Sequence, residues 1–223
     1  MNIFRKLATL LGRQREQHIE NKDRMIVSTM DNGQQSQNQV NNQLLLHFFL
    51  NNEDQRIPHR HEDIVVFTDD EVEAYHDFIQ WIFPTSQPSH FNGDAPTIDE
   101  HFAAMLHSNQ CALQNYCKSC RRYLHYMDFD CSGDGNIHTY RGDRPFYLLP
   151  YHNFLRMTRM LQSLRETGHP QCSANLFAQM MNILRTTPYH AISGTTIAYW
   201  QSTQNSNKNK TALTYNHKII ITN

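Results

Sequence analysis

Two lines of polar side chains in the 223-residue chain are spaced so that a helix would aim each line in one direction. Glu73, His76 and Gln80 recur at i, i+3 and i+7 in a stretch otherwise apolar on every side. A buried imidazole and amide must find hydrogen-bond partners. Two readings follow. Either His76 and Gln80 bond neighbouring backbone and specify packing, or they floor a groove where Gln80 bonds a ligand backbone between the aromatic walls of Tyr75 and Trp81. Further on, His152, Arg156, Arg159 and Ser163 fall at i, i+4, i+7 and i+11, with Asn153 beside the first. Two guanidinium groups on one stripe offer bidentate donors to a carboxylate or phosphate, and they cannot be deprotonated. The plainer reading of that stripe is a solvated outer face. If both lines met across one cleft, the anionic end of a peptide would suit it.

Residues 130–141 imitate a calcium loop, with oxygen donors Asp130, Ser132 and Asp134 at its first, third and fifth positions and Gly135 at the sixth. The twelfth position needs a bidentate carboxylate and holds Arg141, so no metal is expected. Cys117 and Cys120 form a lone CxxC inside a helical stretch, without a second pair to complete four zinc ligands and without the strand-to-helix junction of redox motifs. Core packing suits them better. No P-loop, nucleophile elbow, zinc-protease motif or credible acid/base carboxylate pair occurs, so neither a cofactor nor catalysis is expected.

The elements that must position these residues are helical. Thr68 with Glu71 makes a capping box that predicts a helix to about Phe83, closed by Pro84. Thr97 with Glu100 repeats the signal and predicts a helix to about His107. Further helices are expected over 110–127, over 152–166 with Gly168 as a left-handed cap, over 172–185 and over 194–204. Between them, residues 128–149 are rich in Asp, Gly and Pro and read as an excursion with a small hairpin near 133–140. The expected fold is all-α, a single domain of about six helices over 44–204. Residues 31–43 read as a Gln/Asn-rich flexible linker, 1–30 as an N-terminal amphipathic helix or arm, and 205–223 as a polar linker and tail whose Ile219-Ile220-Ile221 run favours a strand.

With a formal net charge of −1, the chain has no global field to gather nucleic acid or anionic lipid, so general nucleic-acid binding is not expected. No apolar run is long enough for a membrane span, although the basic, apolar N-terminus could make a peripheral membrane contact. Five cysteines is an odd number, which favours reduced thiols and a soluble, cytoplasmic setting.

The segment from Tyr75 to Pro84, with its His76, Ile79-Gln80-Trp81-Ile82-Phe83 core, resembles a signature of the opioid growth factor receptor conserved region. The stretch Pro88 to Pro96, containing Phe91-Asn92 and Ala95-Pro96, is similar to a second motif of that family. His152-Asn153-Phe154-Leu155-Arg156-Met157-Thr158-Arg159 through Arg165, with Gly168, resembles a third. The three stand in the family's order across roughly 44–200. The resemblance implies an α-helical domain whose best-known member is a non-enzymatic receptor for an enkephalin peptide, distinct from the seven-helix opioid receptors and able to act at the nucleus. It therefore implies a peptide or protein partner here, with Tyr75, His76, Gln80, Trp81, His152, Asn153, Arg156, Arg159 and Ser163 as candidate contacts. Two rivals are an enzyme or binder of an anionic small molecule using the His/Arg stripe, and a local nucleic-acid or membrane contact.

Overall fold

The computed structural model describes residues 33–131, 137–139, 144–187 and 190–205. The chain divides into two compact units, Met1–Val40 and Asn41–Asn223. Of the first, residues 33–40 are described, and they are helical.

The described residues are mostly helical, as expected, in nine α-helices rather than about six. These are α1 (residues 33–49), α2 (His61–Ile64), α3 (Asp69–Ala74), α4 (Ile79–Ile82), α5 (Phe102–Ser108), α6 (Gln110–Tyr126), α7 (Tyr151–Glu166), α8 (Pro170–Thr186) and α9 (Gly194–Asn205). Strands β1 (Phe129–Cys131) and β2 (Ile137–Thr139) pair antiparallel, with Asp130 opposite His138, and supply the small hairpin. The expected N-terminal arm, the C-terminal strand and two of the three calcium-loop donors, Ser132 and Asp134, lie outside the described residues.

Two long helices organise the second unit. In α6, Ala112, Tyr116, Cys120, Tyr123 and Leu124 are buried at helical spacing, and α3, α4, α5 and β1 pack around this helix. In α7, Phe154, Met157, Met160, Leu161 and Leu164 are buried, with α8 and α9 against it. Trp200 of α9 is fully buried and donates its indole N–H to the Phe154 carbonyl at 3.2 Å. Helix α7 ends as its sequence predicts. Gly168 takes φ 89°, while the His169 and Gly168 amides bond the Leu164 and Arg165 carbonyls at 2.7 and 3.3 Å, the pairing of a Schellman cap. Asn51 closes α1 in the same way, with φ 57° and the amides of Asn52 and Asn51 on His47 and Phe48.

Three local expectations are overturned, each by tertiary bonding. The helix expected over 68–83 is broken into α3 and α4, with Tyr75 extended at φ −85°, ψ 138°. The Arg156 guanidinium takes the Val72 and Tyr75 carbonyls at 2.8 and 2.7 Å, and the Asn92 amide takes the Asp77 carbonyl at 3.3 Å. Side-chain donors thus replace the backbone bonds a continuous helix would have made. The capping box at Thr68 and Glu71 itself forms. The second box does not. Thr97 accepts from Asn41 at 3.3 Å, Asp99 accepts from Asn42 at 2.7 Å and from the His101 amide at 2.9 Å, and α5 begins only at Phe102. Those same two asparagines belong to the segment expected as a linker, which is helical from residue 33 and leads into buried Leu44, Leu45, Phe48 and Phe49.

Candidate functional site

Four of the expected site residues do converge. At the centre stands Glu73 on α3, which accepts hydrogen bonds at Oε2 from the Tyr126 hydroxyl and from Asn153 Nδ2, the latter at 3.0 Å. Its Oε1 lies 3.1 Å from His152 Nε2. Arg156 Nη1 also donates to Asn153 Oδ1 at 3.3 Å, and Nη2 lies 3.2 Å from His76 Nδ1. An arginine can only donate, so that His76 nitrogen accepts and the ring carries its proton on Nε2. The two imidazoles stand 5.1 Å apart by ring centroids.

Electrostatics assigns charges within this cluster. Burial raises the Glu73 carboxyl, but the Tyr126 and Asn153 hydrogen bonds and the nearby His152 and Arg156 outweigh it and hold the acid below its usual range. His152 is lowered by burial and by Arg156, against the pull of Glu73, so the imidazole is neutral at physiological pH. Tyr126 and Tyr123 are both pushed well up, first by burial.

The stripe on α7 is not a solvated face. Arg156 is only 6% exposed and donates to the Val72 and Tyr75 carbonyls. Arg159 is lowered to about 10 by burial and donates to the Phe83 carbonyl at 2.8 Å. Ser163 is buried with its hydroxyl 3.3 Å from that of Tyr116. The line on α3 and α4 is likewise divided. Gln80 is buried and donates to Ser89 Oγ at 3.1 Å, and Trp81 packs in the core at 5.6 Å from the Phe48 ring. Gln80, Trp81, Arg156, Arg159 and Ser163 are thus each engaged by the surrounding scaffold. Asp130 stands 3.7 Å from His138 across the hairpin.

Tyr75, by contrast, is 41% exposed. Its ring lies 5.1 Å from Phe67 and 5.4 Å from His59. Phe67 also borders an open groove of about 640 Å³ between residues 65–69 and α6. Val65 and Phe67 give the groove an apolar side, while Lys118, Arg121, Arg122 and His125 give it a cationic one. Arg122 is anchored to the Phe67 carbonyl at 2.8 Å and to Asp69 at 2.7 Å. Lys118, Arg121 and Arg122 escaped the sequence reading, although with His125 they fall at i, i+3, i+4 and i+7. Glu73 was seen only as one of a polar line, and Tyr123 and Tyr126 were not singled out.

The CxxC pair faces a small internal cavity shared with Cys131 and Cys172. None of the five cysteines is in a disulfide. Burial pushes Cys117 up to about 12 and Cys172 to about 11, and the thiols raise one another further. Among the described residues, no three His, Cys, Asp or Glu side chains are placed to hold a metal ion.

Fold and site together define a mostly α-helical domain in which residues 75–84, 88–96 and 152–168 are bonded to one another. Residues 38–219 match the family described as the opioid growth factor receptor (OGFr) conserved region, and the chain belongs to that family. No curated protein and no solved structure matches it. Among the described residues, no helix is long and apolar enough to cross a membrane.

Proposed function

We propose that this chain is a non-catalytic recognition domain that binds a peptide or protein segment in the groove between residues 65–69 and α6, working in the cytoplasm. One observation carries the reading. The groove is open rather than enclosed, apolar at Val65 and Phe67, cationic at Lys118 and Arg121, and borders the exposed Tyr75 cluster. An enzyme for a small molecule needs an enclosed site that excludes water, whereas an extended segment needs a trough with anchors for alternate side chains.

The test is calorimetric titration with methionine-enkephalin, whose aromatic rings and C-terminal carboxylate match Phe67, Tyr75 and Arg121. Saturable binding weakened by both Tyr75→Ala and Arg121→Gln is expected. No heat above dilution, or binding indifferent to both variants, removes the groove as the peptide site. Gln80→Ala and Arg156→Ala make poor probes, because they withdraw donors that shape α3 and α4.

A second reading, chemistry on an anionic small molecule, draws on the partly exposed Glu73, His76 and His152 cluster. It would place a neutral His152 as a general base beside an ionised Glu73. Arg156, the anion grip that reading wants, is already occupied by backbone carbonyls.

A further inference from the structure

Resting on the groove as a peptide site, we infer that its partner is an extended segment in which acidic and apolar side chains alternate, with the acids gripped by Lys118 and Arg121. Lys118, Arg121, Arg122 and His125 occupy one face of α6 at i, i+3, i+4 and i+7. The like charges of Lys118, Arg121 and Arg122, at i, i+3 and i+4, repel and cost helix stability, so their gathering in a chain of net charge −1 calls for an anion that offsets them. Within the groove, Asp69 answers Arg122 at 2.7 Å. Asp130 faces His138 instead, at 3.7 Å. Lys118 donates to the uncharged Asn115 amide at 3.0 Å, and Arg121 stands exposed. Lys118 and Arg121, at the N-terminal end of the cationic wall, are therefore the part left for a ligand.

The facing wall carries the apolar side chains, beside Thr68 and Asp69. Val65 and Phe67 line it, and the neighbouring Val66 is 76% exposed. Successive side chains of an extended strand point to opposite sides, so an occupant lying along the groove presents every second residue to each wall. Carboxylates then meet Lys118 and Arg121 while Leu or Phe meets Val65 and Phe67. A nucleic acid would instead carry a phosphate at every residue, past the Asp69 and Asp130 carboxylates that also line the groove.

Fluorescence anisotropy with a labelled Glu-Leu-Glu-Phe-Glu-Leu peptide, its Gln-for-Glu counterpart and a labelled oligothymidylate tests this with the full chain. The acidic peptide should bind at least about tenfold more tightly than the Gln peptide at low salt, and the gap should close at high salt. Arg121→Gln and Lys118→Gln, both at exposed positions, should each weaken the acidic peptide about fivefold and leave the Gln peptide unchanged. Equal binding of both peptides, weakened alike by Tyr75→Ala, keeps the peptide site and overturns the acidic partner. Absence of binding by either peptide overturns the acidic partner, while saturable methionine-enkephalin binding weakened by Tyr75→Ala would still keep the groove as a peptide site. Displacement of the acidic peptide by the oligothymidylate at comparable concentration also overturns the inference, reassigning the cationic wall to a phosphate chain.

Discussion

Acid should unfold this protein through two histidines that the native core keeps neutral. His61 is 1% exposed and His169 5% exposed. Burial first, and then the Lys118 charge, holds His61 at about 4, even though its Nε2 lies 2.9 Å from the Asn115 carbonyl and 2.8 Å from the Ser119 hydroxyl. Burial and the stacked His107 ring, at 4.9 Å, hold His169 at about 3. In the unfolded chain both return to about 6.5, so between that value and the native ones the unfolded state binds more protons. Stability therefore falls as pH drops through 6.5. Linkage gives about 2 kcal/mol lost per histidine at pH 5 relative to pH 8, roughly 4 kcal/mol together, a large part of the ~5–15 kcal/mol typical of a domain. Depressed carboxylates such as Glu73 and Asp99 lose their contribution only below the ordinary carboxylate range, which leaves the pH 5 to 6.5 window to the histidines. Urea unfolding followed by the fluorescence of buried Trp81 and Trp200 measures it. His61→Gln should remove somewhat under half of the slope with pH, because His152, also lowered, adds a smaller share, whatever the variant does to the absolute stability. Unfolding free energies equal at pH 8 and pH 5, or a full slope surviving in both His61→Gln and His169→Gln, would refute the reasoning.

Two more outcomes follow from the same packing. Arg156→Met should cost about 3 kcal/mol in urea unfolding, because it strands the Val72 and Tyr75 carbonyls and the Asn153 amide oxygen, and hydrogen exchange should quicken across 69–78. A destabilisation below about 0.5 kcal/mol would mean that water takes over those carbonyls without cost. Among the thiols, exposed Cys111 should react first with an aromatic disulfide reagent, with Cys117, Cys120 and Cys172 waiting on unfolding, since burial keeps them protonated. Mass spectrometry of the early adduct locates it, and early labelling at Cys120 would contradict the packing.

Long-range order in this chain was legible wherever a signal was local and nothing distant competed with it. The Thr68 and Glu71 box, the α6 and α7 spans and the Gly168 cap all formed where their residues predicted. Thr97 and Glu100 carry an equally good box, yet Asn41 and Asn42 reach Thr97 and Asp99 from more than 50 residues away and shift the start of α5. The i, i+3, i+7 line of Glu73, His76 and Gln80 assumed a helix that Arg156 breaks, so Gln80 turns into the core while His76 stays near Glu73's cluster. Periodicity within one segment cannot register a donor arriving from another.

That same break separates the family resemblance from the choice of partner. The three motifs bond to each other: Gln80 to Ser89, Asn92 to the Asp77 carbonyl, Arg156 to the Tyr75 carbonyl and Arg159 to the Phe83 carbonyl. Apart from Asn92, whose bond to Asp77 is exposed, these polar residues are held in one partly buried scaffold interface, where a buried donor left unpaired would cost roughly 1–3 kcal/mol. Side chains under that constraint cannot be traded to suit a new ligand without disturbing α3 and α4. Lys118, Arg121 and Val65 lie outside all three motifs, and the first two stand at exposed positions. Substitution there changes charge or shape in the groove and leaves the scaffold bonds untouched. On the proposed reading, a partner is therefore selected by groove residues that lie outside the three motifs, while the bonds among the motifs hold the scaffold.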